Sequence, residues 1–492
     1  MSAYILVIDE GTTSTRVIAY DRNFTPCAVA QQELTVTYPQ DGWVEQDGEE
    51  IWQASLAALR QVCAEIGGPD EIAAIAIANQ RETTLVWDRA TSKPVGPAIV
   101  WQDRRTHAAC DALKAAGHEA KINDVTGLLP DPYFSATKIN WLRQEYALSG
   151  EDLAAGRYAF GTVDSWLIWQ LTGGTRHVTD ITNASRTLLM DLEAGTWSPA
   201  MLELFEVERA LLPEICPSGG EFGVLAGAIL GASIPILSAV GDQQAALVGQ
   251  GCLKPGQGKI TLGTGAFLVA NTGAVRPRSE HALLATSGYN TGTGAAAFAL
   301  EGAIFNAGTV VKWLRDELGL IGAATDSEAL ARSVRSSEGV YFVPAFTGLG
   351  APHWKAGARG EITGITRGTR AAHIVRAGLE ATAFQTLDLL IAFAADGATV
   401  DVLRVDGGMA ANDWLMQFMA DICAVPVERP EDMEMTALGA AALAGMHLGW
   451  TSVEDWSEHS AGSARRFVPA MSEAERKKAI SGWQRAVAKA VS

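Results

Sequence analysis

One pattern occurs twice in this chain and constrains its fold more than any other feature. Residues 7–21, VIDEGTTSTRVIAYD, read as strand, Gly/Thr turn, strand. Residues 258–273, GKITLGTGAFLVANTG, have the same form: an apolar strand, a Gly-Thr-Gly turn and a second apolar strand. A third segment, LRVDGGMAANDWLMQFMADI (403–422), runs from a strand through a Gly-Gly turn into a helix opening near Asn412. Two hairpins with hydroxyl-rich tips, one early and one just past mid-chain, predict two related domains. At 492 residues the chain is in any case too long for one core. The boundary is expected near residue 250, with CLKPGQGK (252–259) as the connecting turn, giving domains 1–250 and 251–492.

Strand-like runs alternate with amphipathic helical stretches throughout, which indicates an α/β architecture. Strands are expected over 4–8, 15–19, 72–78, 259–262, 267–271 and 403–405. Helices are expected over 50–64, 309–318, 373–394, 413–423 and 436–444. One uncharged stretch, GVLAGAILGASIPILSAVG (223–241), is long enough to span a bilayer. Its proline, glycines and serines, and Asp242 at its end, read instead as short buried strands and turns.

Net charge is −18, from 38 basic and 56 acidic residues, which argues against a nucleic-acid or anionic-membrane surface. The six cysteines are scattered with no CxxC pair, so neither a disulfide framework nor a zinc site is expected. They read as reduced core residues of a cytoplasmic protein, and the N-terminus lacks the features of a signal peptide.

There is no GxxxxGK[ST] and no GxGxxG after a strand, so a Walker-type NTPase and a Rossmann dehydrogenase both lose support. Tight Gly/Thr turns hold phosphates by another route, through backbone N–H groups and hydroxyls. Residues 11–15 and 263–265 are two such turns, and Arg16 adds a positive charge to the first. Either alone is compatible with an ordinary hairpin. Together, with Asp9 at a strand end beside the first, they point to a nucleotide and to Mg2+ held through carboxylate oxygen and water.

In IAAIAIANQRETTLVW (72–87) an apolar strand runs straight into Arg81 and Glu82. Buried charges must be paired or bound to something. A structural ion pair satisfies that, and so does a pocket for a polyhydroxy ligand, in which the carboxylate accepts from hydroxyls and the guanidinium donates. Trp101 or Tyr133 could wall its C–H face, although either alone is compatible with core. Asp242 follows a buried run and precedes an Ala-rich helix. It could cap that helix, or act as general base for phosphoryl transfer to an alcohol. The Gly407–Gly408 turn permits close approach of a flat ring or ribose.

Longer motifs carry a family resemblance: DEGTTSTR (9–16), NQRETT (79–84), IVWQDRRT (99–106), DPYFSATKINWL (131–142), GTVDSWL (161–167), TDITNASRTLL (179–189), GDQQAAL (241–247), LGTGAF (262–267), PAFTGLGAPHW (344–354), ARGEITGITRGT (358–369), RVDGGMAANDWLMQ (404–417) and TALGAA (436–441). They resemble the FGGY carbohydrate kinases, most closely the branch that phosphorylates glycerol. The resemblance implies two actin-like (ribonuclease-H-like) domains closing over a cleft, and the reaction of ATP with glycerol to give ADP and sn-glycerol 3-phosphate. It implies Arg81, Glu82, Tyr133 and Asp242 on the glycerol hydroxyls, Trp101 and Phe267 against the carbon backbone, and Gln243 as a nearby polar contact. Asp242 is implied as base, and Asp9 with Asp242 on the Mg2+ side. Thr12, Thr13, Ser14, Arg16, Thr264 and Gly265 are implied at the phosphates, and Gly308, Lys312, Gly408 and Asn412 at the nucleotide. A homodimer or tetramer, with no integral membrane association, is likewise implied. A kinase for a longer polyol or a ketose, and an actin-like nucleotide switch, are the competing readings.

The chain departs from the family pattern at Glu10 and at Lys312, where glutamine is usual, and in GAILGASIP (227–235), which lacks the arginine of a fructose 1,6-bisphosphate loop. Glu10 could repel a triphosphate, add a metal contact or point away.

Overall fold

The computed structural model describes residues 3–355, 357–431, 434–461 and 464–492. Its first half is organised on a six-stranded sheet of β1 (Tyr4–Glu10), β2 (Ser14–Tyr20), β3 (Pro26–Glu33), β4 (Ile72–Asn79), β5 (Gly219–Val224) and β6 (Pro235–Gly241), with helix α1 (Gly48–Glu65) after β3 and helix α2 (Asp242–Gly249) after β6. Strand order is β5-β6-β4-β1-β2-β3. β1 pairs antiparallel with β2 and parallel with β4, and β4 pairs parallel with β6.

The second half repeats the plan on a seven-stranded sheet. It comprises β7 (Gln257–Leu262), β8 (Ala266–Gly273), β9 (Leu284–Asn290), β10 (Ala296–Ile304), β11 (Val402–Asp406), β12 (Val427–Arg429) and β13 (Arg465–Phe467), in the order β9-β10-β8-β7-β11-β12-β13. Here β7 pairs antiparallel with β8 and parallel with β11. Helices α3 (Gly308–Asp316), α4 (Ala371–Ala395), α5 (Asp413–Cys423) and α6 (Met435–His447) are among the helices that follow its strands. The strands and helices expected from periodicity are all present, most extended by one to three residues at an end. The α/β architecture is two sheet-centred halves built on one plan.

β1 is a continuous apolar run because both its faces are covered. Leu6 and Ile8 pack with Ile51 and Leu59 of α1. Ile5 and Val7 pack with Ala245 of α2 and Leu438 of α6. That period of two decides the fate of the two acids that end the strand. Glu10 continues the α1 face, and Asp9 continues the face towards the second half. In β7 the same alternation sends Ile260 and Leu262 into the core with Leu379 of α4 and Leu415 of α5.

The two halves meet where α2 lies against α6. A Cβ on Gly439 would stand 1.8 Å from the carbonyl oxygen of Ala245, so this contact is backbone to backbone. The membrane-like stretch 223–241 resolves into the end of β5, a short helix Gly227–Leu230, and β6. Among the described residues, α4 is long and apolar enough to cross a membrane, yet 72% of its most apolar window is buried inside the protein. Of the six cysteines, all free thiols, five are buried and Cys27 is exposed.

Candidate functional site

The inner parallel strands β4 and β6 end side by side, and their continuations build one corner of the site. Arg81 and Glu82 follow β4, and both are almost wholly buried. Arg81 donates through Nη1 to Glu301 Oε2 (2.5 Å) and through Nη2 to Glu301 Oε1 (3.0 Å) and the Tyr133 hydroxyl (3.2 Å). Its Nε lies 3.4 Å from Asp242 Oδ1 and 3.8 Å from Glu82 Oε1. Glu82 in turn accepts from Arg186 Nε at 2.7 Å, and Arg186 Nη2 reaches Glu301 Oε1 at 3.0 Å. Two guanidinium and two carboxylate groups therefore neutralise one another out of water, as buried charges must. Burial opposes ionisation of Glu301, but Arg186 and Arg81 outweigh it and hold the carboxyl well below its ordinary range. Burial pushes the Tyr133 phenol far up, with Glu82 adding to the effect, so Tyr133 presents an O–H.

Asp242 opens α2 as its first residue, and Gly241 is the N-cap. It is the open member of the corner, its side chain one-third exposed. Its Oδ1 accepts from the Gln243 backbone N–H (2.7 Å) and its Oδ2 from Gln243 Nε2 (3.2 Å). Gln243 Oε1 accepts from Lys259 Nζ of β7 at 2.5 Å, which makes a second link between the halves. The aromatic wall also draws on both halves. Trp101 stands edge-on to Tyr133 at 5.7 Å and to Phe267 of β8 at 6.3 Å between ring centroids. The Trp101 indole N–H donates to Thr12 Oγ1 at 3.0 Å, tying this wall to the first hairpin.

In the first hairpin the carbonyls are turned back into the protein. Gln80 Nε2 donates to the Gly11 oxygen (3.1 Å), Gln46 Nε2 to that of Thr12 (2.9 Å) and Leu34 N–H to that of Thr13 (2.9 Å). Thr13 itself is exposed and Ser14 half-buried. Arg16 is paired on both arms, with Asp9 Oδ2 (2.7 Å) and Glu434 Oε2 (2.7 Å), so a phosphate reaching it competes with two carboxylates. In the second hairpin the Gly263 oxygen accepts from Gly308 N–H (2.9 Å) at the start of α3, and the Thr264 oxygen from Ala307 and Thr309 N–H groups. Gly263 and Thr264 are exposed, as is Lys312 one turn along α3. Beyond β11, Gly408 faces open space, where a Cβ would meet nothing within 4 Å. Asn412 Oδ1 caps α5 by accepting from Leu415 N–H at 2.9 Å.

Glu10 is fully buried on the α1 face, where Ser55 Oγ donates to its Oε2 at 3.2 Å. Of the three expectations for this residue, pointing away is the one realised. Burial pushes its carboxyl up to about 8, the Thr15 and Ser55 hydroxyls oppose this, and the charge of Asp9 adds to it. Asp9 is also raised by burial, against the pull of Arg16, with Glu434 and Asp242 repelling it in addition. Asp242 is thus near enough to Asp9 for the two charges to repel. Among the described residues no group of three or more His, Cys, Asp or Glu side chains forms a metal cage. Two carboxylates that need further oxygens from a ligand fit Mg2+, which is bound by one or two carboxylates with phosphate oxygens and waters.

The structure also brings in residues that sequence reading missed. Glu301, inside FALEGAIF, carried a signal like that of Arg81, a charge beside apolar residues, whereas Arg186, inside TNASRTLL, has polar neighbours and carried none. Lys259 read only as the start of a strand, but it is fully buried and its ammonium is lowered by burial, against Asp406 and Asp242. Asp406, at the end of β11, is buried with Oδ2 accepting from Gln250 Nε2 at 2.9 Å. Its carboxyl is raised by burial and held down by Lys259.

Comparison with known proteins follows the same division of the chain. The model of the FGGY family of carbohydrate kinases matches with its N-terminal domain over residues 4–249 and with its C-terminal domain over 258–448. A glycerol kinase of Ectopseudomonas mendocina is 52% identical over 490 residues, 99% of each chain. Glycerol kinase 1 of Pseudomonas aeruginosa is 51% identical over 489 residues, again 99% of each. Among solved structures, Plasmodium falciparum glycerol kinase with ADP superposes with a TM-score of 0.94 at 36% identity, covering 99% of this chain and 98% of that one. A xyloylose kinase from Brucella ovis superposes with a TM-score of 0.87 at 25% identity, with the same coverage.

Proposed function

This chain belongs to the FGGY family of carbohydrate kinases, and we infer that it transfers the γ-phosphoryl group of ATP to glycerol, giving ADP and sn-glycerol 3-phosphate. The observation that carries the choice of acceptor is identity of about half over the whole chain to glycerol kinases. The corner of Arg81, Glu82, Tyr133 and Asp242, walled by Trp101 and Phe267, supports it as a compact site with a polar floor and aromatic sides.

In this reading Arg81 donates to acceptor hydroxyls, the Tyr133 O–H donates to or accepts from them, and Glu82 accepts from them. Trp101 and Phe267 exclude water from the carbon side, which favours the alcohol over water as acceptor. Asp242 takes the proton of the attacking hydroxyl. The oxygen–phosphorus bond forms as the bond from the γ-phosphorus to the β–γ bridging oxygen breaks, and that oxygen leaves with ADP. Gln243 aims Asp242 through its backbone and side-chain N–H groups. The turns 11–14 and 263–265 hold phosphate oxygens, with Thr12, Thr13, Ser14, Thr264 and Gly265 as donors and Arg16 as the nearby charge. Gly308, Lys312, Gly408 and Asn412 line the path of the nucleotide. Mg2+ would sit against Asp9, with Asp242 as the second carboxylate, and supplies neutralisation of phosphate charge when bound.

The same reading makes the enzyme a cytoplasmic homo-oligomer, dimer or tetramer, which light scattering of the purified protein tests. The function itself is tested by ATP-dependent phosphorylation of glycerol, dihydroxyacetone, erythritol and xylulose side by side. Glycerol is expected to have the highest kcat/KM. Preference for a four- or five-carbon acceptor would replace the glycerol assignment, and ATP hydrolysis indifferent to every polyol would favour a nucleotide switch.

A further inference from the structure

We propose that Glu301, a residue of the nucleotide-side half, is a positioning residue of the acceptor site: it holds the fork of Arg81 so that Asp242 stays available as a base. The inference rests on the acceptor reading above and deepens it.

Glu301 projects from β10 of the second sheet and is fully buried. Its two oxygens receive both Nη atoms of Arg81 in a fork-to-fork pair (2.5 and 3.0 Å), and Oε1 also receives Arg186 Nη2 (3.0 Å). Both arginines come from the other half of the molecule. Bidentate pairing of this kind fixes the plane of a guanidinium as well as its place. With its fork occupied, Arg81 offers Asp242 only its Nε edge, at 3.4 Å.

Without the Glu301 charge, the nearest carboxylates to the Arg81 fork are Asp242 and Glu82. Glu82 is already taken at 2.7 Å by Arg186, so Arg81 turns to Asp242. A bidentate Arg81–Asp242 pair would occupy the oxygens that must accept a hydroxyl proton. It would also remove Arg81 from the acceptor hydroxyls. Neighbouring cross-half hydrogen bonds hold Glu301 in register: Ser185 Oγ with Thr286 Oγ1 at 2.8 Å, and Gln244 Nε2 to Thr286 Oγ1 at 3.2 Å. A buried ion cluster is by itself weak evidence of stabilisation, which leaves geometry as the property that Glu301 contributes.

The test separates positioning from folding. E301Q removes the charge and is compared with E301D, which keeps it on a shorter arm; both leave Arg186 on Glu82. We expect ATP KM within about twofold of the parent in both. We expect the glycerol KM of E301Q to rise by about tenfold to a hundredfold, as for loss of a charged hydrogen bond, with E301D between the parent and E301Q. Parental glycerol KM in folded E301Q would overturn the proposal. Should E301Q not fold, parental glycerol KM in E301D would overturn it equally. The parent is first assayed across the four acceptors, and the variants are scored on whichever it prefers. A different preferred polyol then replaces the glycerol assignment while Glu301 is still tested. A parent with no polyol-dependent turnover overturns both.

Discussion

The two hairpins share strand order, partner geometry and a turn glycine, but they differ in chemistry. The first, ending β1, carries Asp9, Glu10 and Arg16 around its turn; the second carries no charge from Ile260 to Gly273, with Lys259 one residue further back in β7. At the position before the turn glycine the first has Glu10 and the second Leu262, and both are fully buried. At the preceding position, facing the other half, the first has Asp9 and the second Thr261. One scaffold thus supplies a charged face that suits a cation and an uncharged cradle that suits phosphate oxygens. Glu10 shows the limit of reading charge as function, because it occupies a leucine's place in the plan and behaves accordingly, its proton retained by burial.

The proposed proton transfer belongs to neither turn but to the end of β6, and the largest effect is expected there. Asp242→Asn should lower kcat by about 10²- to 10⁴-fold, the usual worth of a general base, while glycerol binding by calorimetry persists. Turnover near the parental rate would remove Asp242 from that role. The next effect distinguishes the turns. A Cβ on Gly265 would stand 2.6 Å from the Ile304 carbonyl oxygen, a backbone atom that cannot swing away, whereas one on Gly11 would stand 3.0 Å from that of Ser14. Gly265→Ala should therefore raise ATP KM by roughly tenfold, and Gly11→Ala by less. The reverse order would break the assignment of the tighter cradle to the second hairpin.

The smallest effect on turnover, and a clear one on stability, is expected at Glu10. Its folded carboxyl lies at about 8 against an ordinary 4.5. The stability it contributes is present in full below 4.5, where folded and unfolded chains are both protonated. It is lost as pH rises through 8, because the unfolded chain ionises first. Glu10→Gln should match the parent near pH 5 and exceed it by about 2 kcal/mol or more at pH 8.5, with kcat little changed. Melting curves at both pH values check this. A loss of Mg2+ or ATP affinity in Glu10→Gln would instead return Glu10 to the site.

The regular elements were legible because their causes are local. Strand 72–78 and helix 413–423 announce themselves by periodicity, and the Gly/Thr turns by composition. Within the candidate site, Asp9, Arg81, Glu82 and Asp242 were legible as charges at the ends of buried runs. Glu301 sits inside a strand and Arg186 in a polar stretch; they lie 115 residues apart, and 220 and 105 residues from Arg81. No local pattern says that these three side chains meet.

By itself, then, the sequence determined a duplicated α/β plan, the family, and the chemical types gathered at the strand ends, because spacing, turn chemistry and motif order are properties of neighbouring residues. Tertiary structure alone decided which charge faces which. The twofold alternation of β1, read against α1 on one side and α2 with α6 on the other, buried Glu10 as a core residue and turned Asp9 to the opposite face, onto Arg16. The meeting of the two sheets brought Glu301 onto Arg81 and Lys259 onto Gln243. Those partnerships follow from the packing of distant segments, and the energy of a charge out of water depends on that packing rather than on its neighbours in sequence.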